Sequence, residues 1–267
     1  MYSKGLSFLL LTVVGAMAQQ VPFTPPPRIL QLHREQIVPN RQGDYLRNET
    51  DAVAAESRVG FQHSYLALRG LNQANDVWFV NGFDSYADID QIGRDFAANA
   101  DLTAALNNIS AAKADLVIDP REIFARFRED LSYGRGMSGQ RTRYFVLSIV
   151  SVRPGHAQEY AEVRRIIRSF HQQSNSPIIH SVYQVDSGMP DGTFLIFTPA
   201  SSLDDAGAAR QFDQSLIENV DAGTRSKLRD LSSAAIGESE TSILAINPAI
   251  SYPAKEWVAA DPDLWKR

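Results

Sequence analysis

From Arg28 onward the chain alternates, then winds, and does so twice. Arg28 to Ile37 sets Leu30 and Leu32 on one face and Gln31, His33 and Glu35 on the other, the period-two pattern of a strand with one apolar face. Pro39 ends it, and residues 41–58 favour helix on a thin stripe of Tyr45, Leu46, Ala52, Val53 and Ala55. His63 to Leu68 and Val77 to Phe83 read as a hairpin around the turn-rich residues 70–75. Ser85 with Asp88 resembles a capping box, opening a helix striped by Tyr86, Ile89, Ile92 and Phe96. A further helix over 101–116 and a strand over 123–127 complete the first pass. Beyond the Gly/Ser-rich linker at 134–139 the course repeats. It runs through strand 144–152, helix 157–171, strands 181–185 and 193–197 around a turn, helices 202–219 and 222–235, and strand 242–246. On helix 157–171, Tyr160, Val163, Ile167 and Phe170 share a face, while Arg164, Arg165 and Arg168 fall off it and read as a solvated basic cluster.

The repetition is also visible residue by residue. QIVPNRQGDY at 36–45 and SVRPGHAQEY at 151–160 share Pro39/Pro154, Asp44/Glu159 and Tyr45/Tyr160, all displaced by 115 positions. His63-Ser64 recurs as His180-Ser181, and Leu131-Ser132-Tyr133 as Ile250-Ser251-Tyr252. The order β-α-β-β-α-β in each copy is the split βαβ, or ferredoxin-like, unit, so the class is α+β with repeats at 28–137 and 141–252. Tyr133 and Tyr252 follow the closing strands and are read as structural.

The ends differ in kind. Lys4, the apolar run Leu6 to Met17 and the small residues Ala16 and Ala18 form a leader pattern over 1–18, which predicts export to a periplasmic or secreted location after cleavage near Ala18. A proline-rich stretch at 19–27 reads as an extended tether, and the tail at 253–267 carries Trp257 and Trp265, expected to pack over a seam of the body. No other stretch is apolar enough to span a bilayer.

Composition narrows the partners. Of 26 basic and 31 acidic residues, Lys4 leaves with the leader, giving 25 against 31 and a net charge of −6, which argues against nucleic acid. Cysteine is absent, which removes disulfides and thiol catalysis. The sequons Asn48-Glu49-Thr50 and Asn108-Ile109-Ser110 are read as chance matches.

The five histidines form no metal motif, and no serine elbow, phosphate loop or dinucleotide fingerprint is present. The reading therefore names no metal ligand and no cofactor. His33 and His63 fall on the less apolar strand faces, and His180 is the counterpart of His63. A cavity shared by His63 and His180 would make them acid–base or ligand groups. Capping of a strand start is the simpler role for both. His171, near a helix end, suits the helix dipole.

Two β-α-β-β-α-β units with an acidic-Tyr helix start resemble the dimeric α/β-barrel superfamily. That superfamily includes antibiotic-biosynthesis monooxygenases, NIPSNAP-like and EthD-like proteins, and the tandem chlorite-dismutase-like haem proteins. The cadence of residues 78–83 (WFVNGF) is NIPSNAP-like. The resemblance spans 28–252 and implies two four-stranded sheets closing an internal pseudo-dimeric α/β barrel, with any ligand inside it or between sheet and helices. It implies that cofactor-independent monooxygenases use Asn, Trp and His, for which Asn81, Trp78 and His63 stand as candidates; the catalytic residues stay unknown, with His63 and Asn81 as the candidates. The chlorite-dismutase likeness asks for a haem-ligating histidine, for which His171 and His180 are the candidates. Ligand-binding candidates are thus His33, His63, Tyr65, Trp78 and His180. The expected function is binding of a small molecule in the barrel. The alternatives are a cofactor-independent monooxygenase or isomerase-like enzyme, and a non-catalytic envelope protein assembling, as a homo-oligomer, through its helices. A cavity lined by His63, Tyr65 and His180 would favour the first two; a plugged barrel with an exposed apolar helix face would favour the third.

Overall fold

The computed structural model describes residues 22–134, 136–137 and 141–266, so the leader reading and part of the linker lie outside the described residues. The strands are β1 (Ile29–Ile37), β2 (Tyr65–Gly70), β3 (Asp76–Phe83), β4 (Val117–Phe127), β5 (Tyr144–Val152), β6 (Ser181–Ser187), β7 (Thr193–Ala200) and β8 (Ile236–Ile246). The helices are α1 (Gln42–Val59), α2 (Tyr86–Ala98), α3 (Ala100–Lys113), α4 (Ala157–Gln173), α5 (Leu203–Glu218), α6 (Ala222–Ala235), α7 (Lys255–Ala260) and α8 (Pro262–Trp265). Their starts are local. Ser85 and Asp88 do form a capping box for α2, and Ser202 and Asp221 accept backbone N–H groups at the starts of α5 and α6.

All eight strands belong to one antiparallel sheet, in the order β1-β3-β2-β8-β5-β7-β6-β4, with β4 closing onto β1. This corrects the expected architecture of two ferredoxin-like repeats forming an internal pseudo-dimeric barrel. Backbone hydrogen bonding runs continuously across both junctions between the halves, Leu68 opposite Ile246 where β2 meets β8, and Ala125 opposite Val185 where β4 meets β6. Closure satisfies backbone groups that two facing sheets would leave on open edges. The chain is a closed eight-stranded antiparallel barrel flanked by helices.

The interior is a packed core. Alternate residues of every strand point inward, among them Leu30, Leu66, Trp78, Ile123, Phe145, Tyr183, Phe197 and Leu244, all essentially inaccessible to solvent. Phe23 enters this cluster beside Trp257, their rings edge-on at 5.3 Å. Trp257 and Trp265 join the same cluster, and the Arg143–Asp261 ion pair at 2.5 Å fastens the tail near the mouth beside β2 and β8. The outer faces carry two smaller cores, one under α1 (Tyr45, Val77, Phe79) and one under α4 and α6 (Tyr160, Phe194, Ala235). By contrast, α2 buries none of its residues fully. Among the described residues no helix is long and apolar enough to cross a membrane.

Candidate functional site

The inward positions named above are buried in the barrel core, and polar side chains lie on the outer faces. In the second half these enclose a cavity of about 480 Å³. Its floor is the outward set of Val146 and Ser148 on β5, Ile196 and Thr198 on β7, and Thr241 and Ile243 on β8, with His180 at the entry to β6. Its roof is one face of α5, where Leu203, Ala206, Gly207, Arg210 and Asp213 recur at helical spacing. Ala206 and Gly207 keep the roof thin, and a Cβ at Gly207 would meet nothing. Arg164 of α4 closes one side.

At the cavity wall α4, the start of β6 and α5 bring together His171, His180 and Asp213. His171 Nε2 lies 3.2 Å and His180 Nε2 3.4 Å from the same Asp213 Oδ1. These are ion-pair distances, yet neither contact is aligned as a hydrogen bond, and all three atoms are buried without a partner. The imidazoles meet edge-on at 4.6 Å, and His171 stacks on Tyr133 at 5.2 Å. His180 Nδ1 lies 3.0 Å from Thr198 Oγ1. Burial pushes the His180 imidazole below its ordinary range, opposed by Asp213. Burial raises the Asp213 carboxyl, but the two histidines more than offset it and hold the group well below the carboxylate range. Arg164 is 8 % exposed, its Nε is unpaired, and it forms no ion pair among the described residues. A buried guanidinium without a counter-charge is costly unless something anionic meets it.

The sequence candidates are scattered by the fold. His63 and Asn81 do meet, Nε2 to Oδ1 at 3.0 Å, with His63 stacked on Phe83 at 4.6 Å, but they lie on the outer face of the first half. Burial lowers the His63 pKa. Trp78 points into the barrel, its Nε1 donating to Asp76 at 2.7 Å under the Arg34 guanidinium. Tyr65 donates to Glu56 at 2.9 Å. His33 belongs to a filled polar cluster. Its Nε2 meets Glu35 at 2.8 Å and its Nδ1 meets Glu122 at 3.0 Å, while Glu35 also accepts from Tyr45 Oη at 2.6 Å and Lys113 Nζ at 2.7 Å. Of the five ligand-binding candidates, only His180 lines the second-half cavity. Sequence reading missed Asp213, and it took Arg164 for a solvated residue; neither carries a local signal, since both become special only through what packs against them. A larger groove of about 1200 Å³, lined by Pro25, Arg28, Glu129, Tyr133 and Arg168, includes none of the five histidines.

Haem was the cofactor implied by resemblance. An axial histidine needs a lone pair facing open space, and here both Nε2 atoms face the Asp213 carboxylate. As placed, His171 and His180 do not fit that group.

No protein-family model matches the chain, and no curated protein does. Solved structures do. A candidate monooxygenase from Fusobacterium nucleatum aligns with TM-score 0.53 at 13 % identity, over 82 % of this chain and 91 % of its own. An anthrone oxidase-like protein aligns with 0.52 at 13 %, over 84 % and 93 %. A candidate monooxygenase from Lactobacillus acidophilus aligns with 0.51 at 9 %, over 82 % and 93 %. At such identities what is shared is the fold alone, an antiparallel barrel flanked by helices.

Proposed function

We propose that this protein binds a small anionic molecule in the cavity between the second-half sheet and α5, with its acid group on Arg164 and an apolar body against Val146, Ile196 and Ile243. The observation that carries this is the buried, unpaired Arg164 facing a cavity of about 480 Å³, within the size range of small-molecule sites. The naming of fold neighbours as candidate monooxygenases agrees with a small-molecule site and goes no further. The test uses benzoate and its neutral analogue benzamide, followed by calorimetry and thermal shift. Benzoate is expected to bind at least tenfold more tightly, a difference of about 1.4 kcal/mol, and Arg164→Met to erase the difference. Equal binding of the two probes, or an unaffected Arg164→Met, would sink the reading. Export through the leader pattern belongs to the same proposal, and the intact mass of the secreted chain measures it.

A second reading, assembly of two copies through α2, draws on the half-exposed stripe of Ile89, Ile92 and Phe96 on a helix with no buried residue. Sedimentation of the wild type and an Ile92→Glu variant decides it, since a dimer that falls to monomer is required.

A further inference from the structure

We propose that His171, His180 and Asp213 form a binding site for one borderline divalent transition-metal ion, zinc or ferrous iron. The anionic ligand of the proposed function would approach it from the cavity; the metal site itself does not depend on that ligand.

Three features point to an ion held jointly. First, both imidazole Nε2 atoms converge on one carboxylate oxygen and all three atoms are buried, yet none is hydrogen-bonded. Two buried donors and a carboxylate that wanted only each other would align, and these do not. Among the described residues, this is the only cluster of three such side chains in which every ligand atom lies within 4.8 Å of the others. Second, the spacing suits coordination. Ligand atoms about 2.0–2.1 Å from a tetrahedral ion stand roughly 3.3–3.4 Å apart, and the two measured edges are 3.2 and 3.4 Å. Third, the outer contact is in place. With His180 Nδ1–H donating to Thr198 Oγ1, Nε2 keeps its lone pair for the ion, and the ring is fixed from behind.

The donor set also selects the ion. Two imidazoles and one carboxylate suit zinc or ferrous iron, whereas magnesium and calcium demand more oxygen ligands than the one carboxylate supplies. Three protein ligands leave a coordination position open. Since His180 and Asp213 both line the cavity, that position faces the space flanked by Arg164. A carboxylate could then meet metal and guanidinium together. Binding releases no covalent intermediate and needs no oxidant; it is coordination by deprotonated ligands.

The experiment titrates cobalt(II), a coloured stand-in for zinc, into chelator-treated full-length chain without any organic ligand, followed by visible absorption. One equivalent should develop d–d bands. Zinc should displace it and magnesium should not. Asp213→Asn and His171→Ala should each weaken binding at least a hundredfold, and Thr198→Val about tenfold. Thermal melts in graded zinc provide a second reading that needs no variant, with the wild-type midpoint rising with concentration. Absence of d–d bands with a flat melt, or undiminished binding in folded Asp213→Asn, overturns the site. A metal site without benzoate binding would contradict the ligand proposal alone, and benzoate binding without metal would contradict this one alone. A Soret band on haem titration, lost in His171→Ala, would replace both with a haem protein.

Discussion

The two halves present the same outer space between sheet and helices and use it in opposite ways. In the first, Glu35 is 1 % exposed and accepts from Tyr45, Lys113 and His33, while Glu49 meets the same Lys113 at 3.0 Å as an ion pair without an aligned hydrogen bond. Counting 115 positions on along the sequence echo, Tyr45 becomes Tyr160, Glu35 becomes Val150, Glu49 becomes Arg164 and Lys113 becomes Leu228. The second half thus keeps the tyrosine, loses its acceptor and the lysine, and places a cation where the first half has an acid. Tyr160 Oη and Arg164 Nε are both orphaned, whereas Tyr45 Oη is bonded. A satisfied buried network rigidifies; an unsatisfied one costs stability and persists where a ligand completes it. The first half is therefore read as the structural wall of the barrel and the second as its working face.

The largest expected effect is in the filled half. Glu35→Ala would leave Tyr45 Oη and His33 Nε2 without an acceptor and strand Lys113 on Glu49 alone, costing about 3–5 kcal/mol in urea unfolding. Asp213→Asn should cost less, since its carboxylate makes no aligned hydrogen bond with either histidine. Equal costs would abolish the contrast between wall and working face.

Next comes pH. Glu122 first, then Glu35, hold the His33 imidazole up to about 9 from 6.5. Its contribution is then complete below pH 6.5 and is lost as pH rises through 9. Burial raises the Glu35 carboxyl, but His33 and Lys113 overcome it and bring it down to about 2 from 4.5. That contribution is present above pH 4.5 and is lost as pH falls through 2. Because His33 is 36 % exposed, solvent screening reduces the alkaline limb to roughly 1–2 kcal/mol. A stability–pH curve of His33→Gln should lack the alkaline limb; if the limb persists, the network is misassigned.

Arg164→Met should raise stability in the absence of ligand by about 1 kcal/mol, since it removes an uncompensated buried charge. Loss of stability would mean that Arg164 has a structural partner in solution. The smallest difference belongs to a device common to both halves. Ser132 Oγ accepts from Val182 N and Ser251 Oγ from Ala67 N, each at 2.9 Å. Ser132→Ala and Ser251→Ala should each cost about 1 kcal/mol, matching within error.

What was legible in the sequence was local. Alternation located β5, and the Ser85–Asp88 box located the start of α2. The early parts of β4 and β8 were not legible, because Asp119 to Glu122 and Glu238 to Thr241 are polar and exposed, so no apolar alternation marks them as strand. The single continuous sheet, in place of two paired repeats, was not legible for a different reason: it rests on β2–β8 and β4–β6 pairing, which joins residues far apart in the chain and leaves no periodic trace. The site suffered likewise. His180 was recognisable through its echo of His63, but the fold separates that pair and gives His180 two partners, His171 and Asp213, that no spacing rule connects.

The most direct test is a crystal of the full chain soaked in zinc, with anomalous difference density recorded at the zinc edge. One peak is predicted about 2.0–2.2 Å from His171 Nε2, His180 Nε2 and Asp213 Oδ1, with none at His33, whose ring nitrogens already meet Glu35 and Glu122. A peak at His33, or an empty second half, would contradict the division of the barrel into wall and working face.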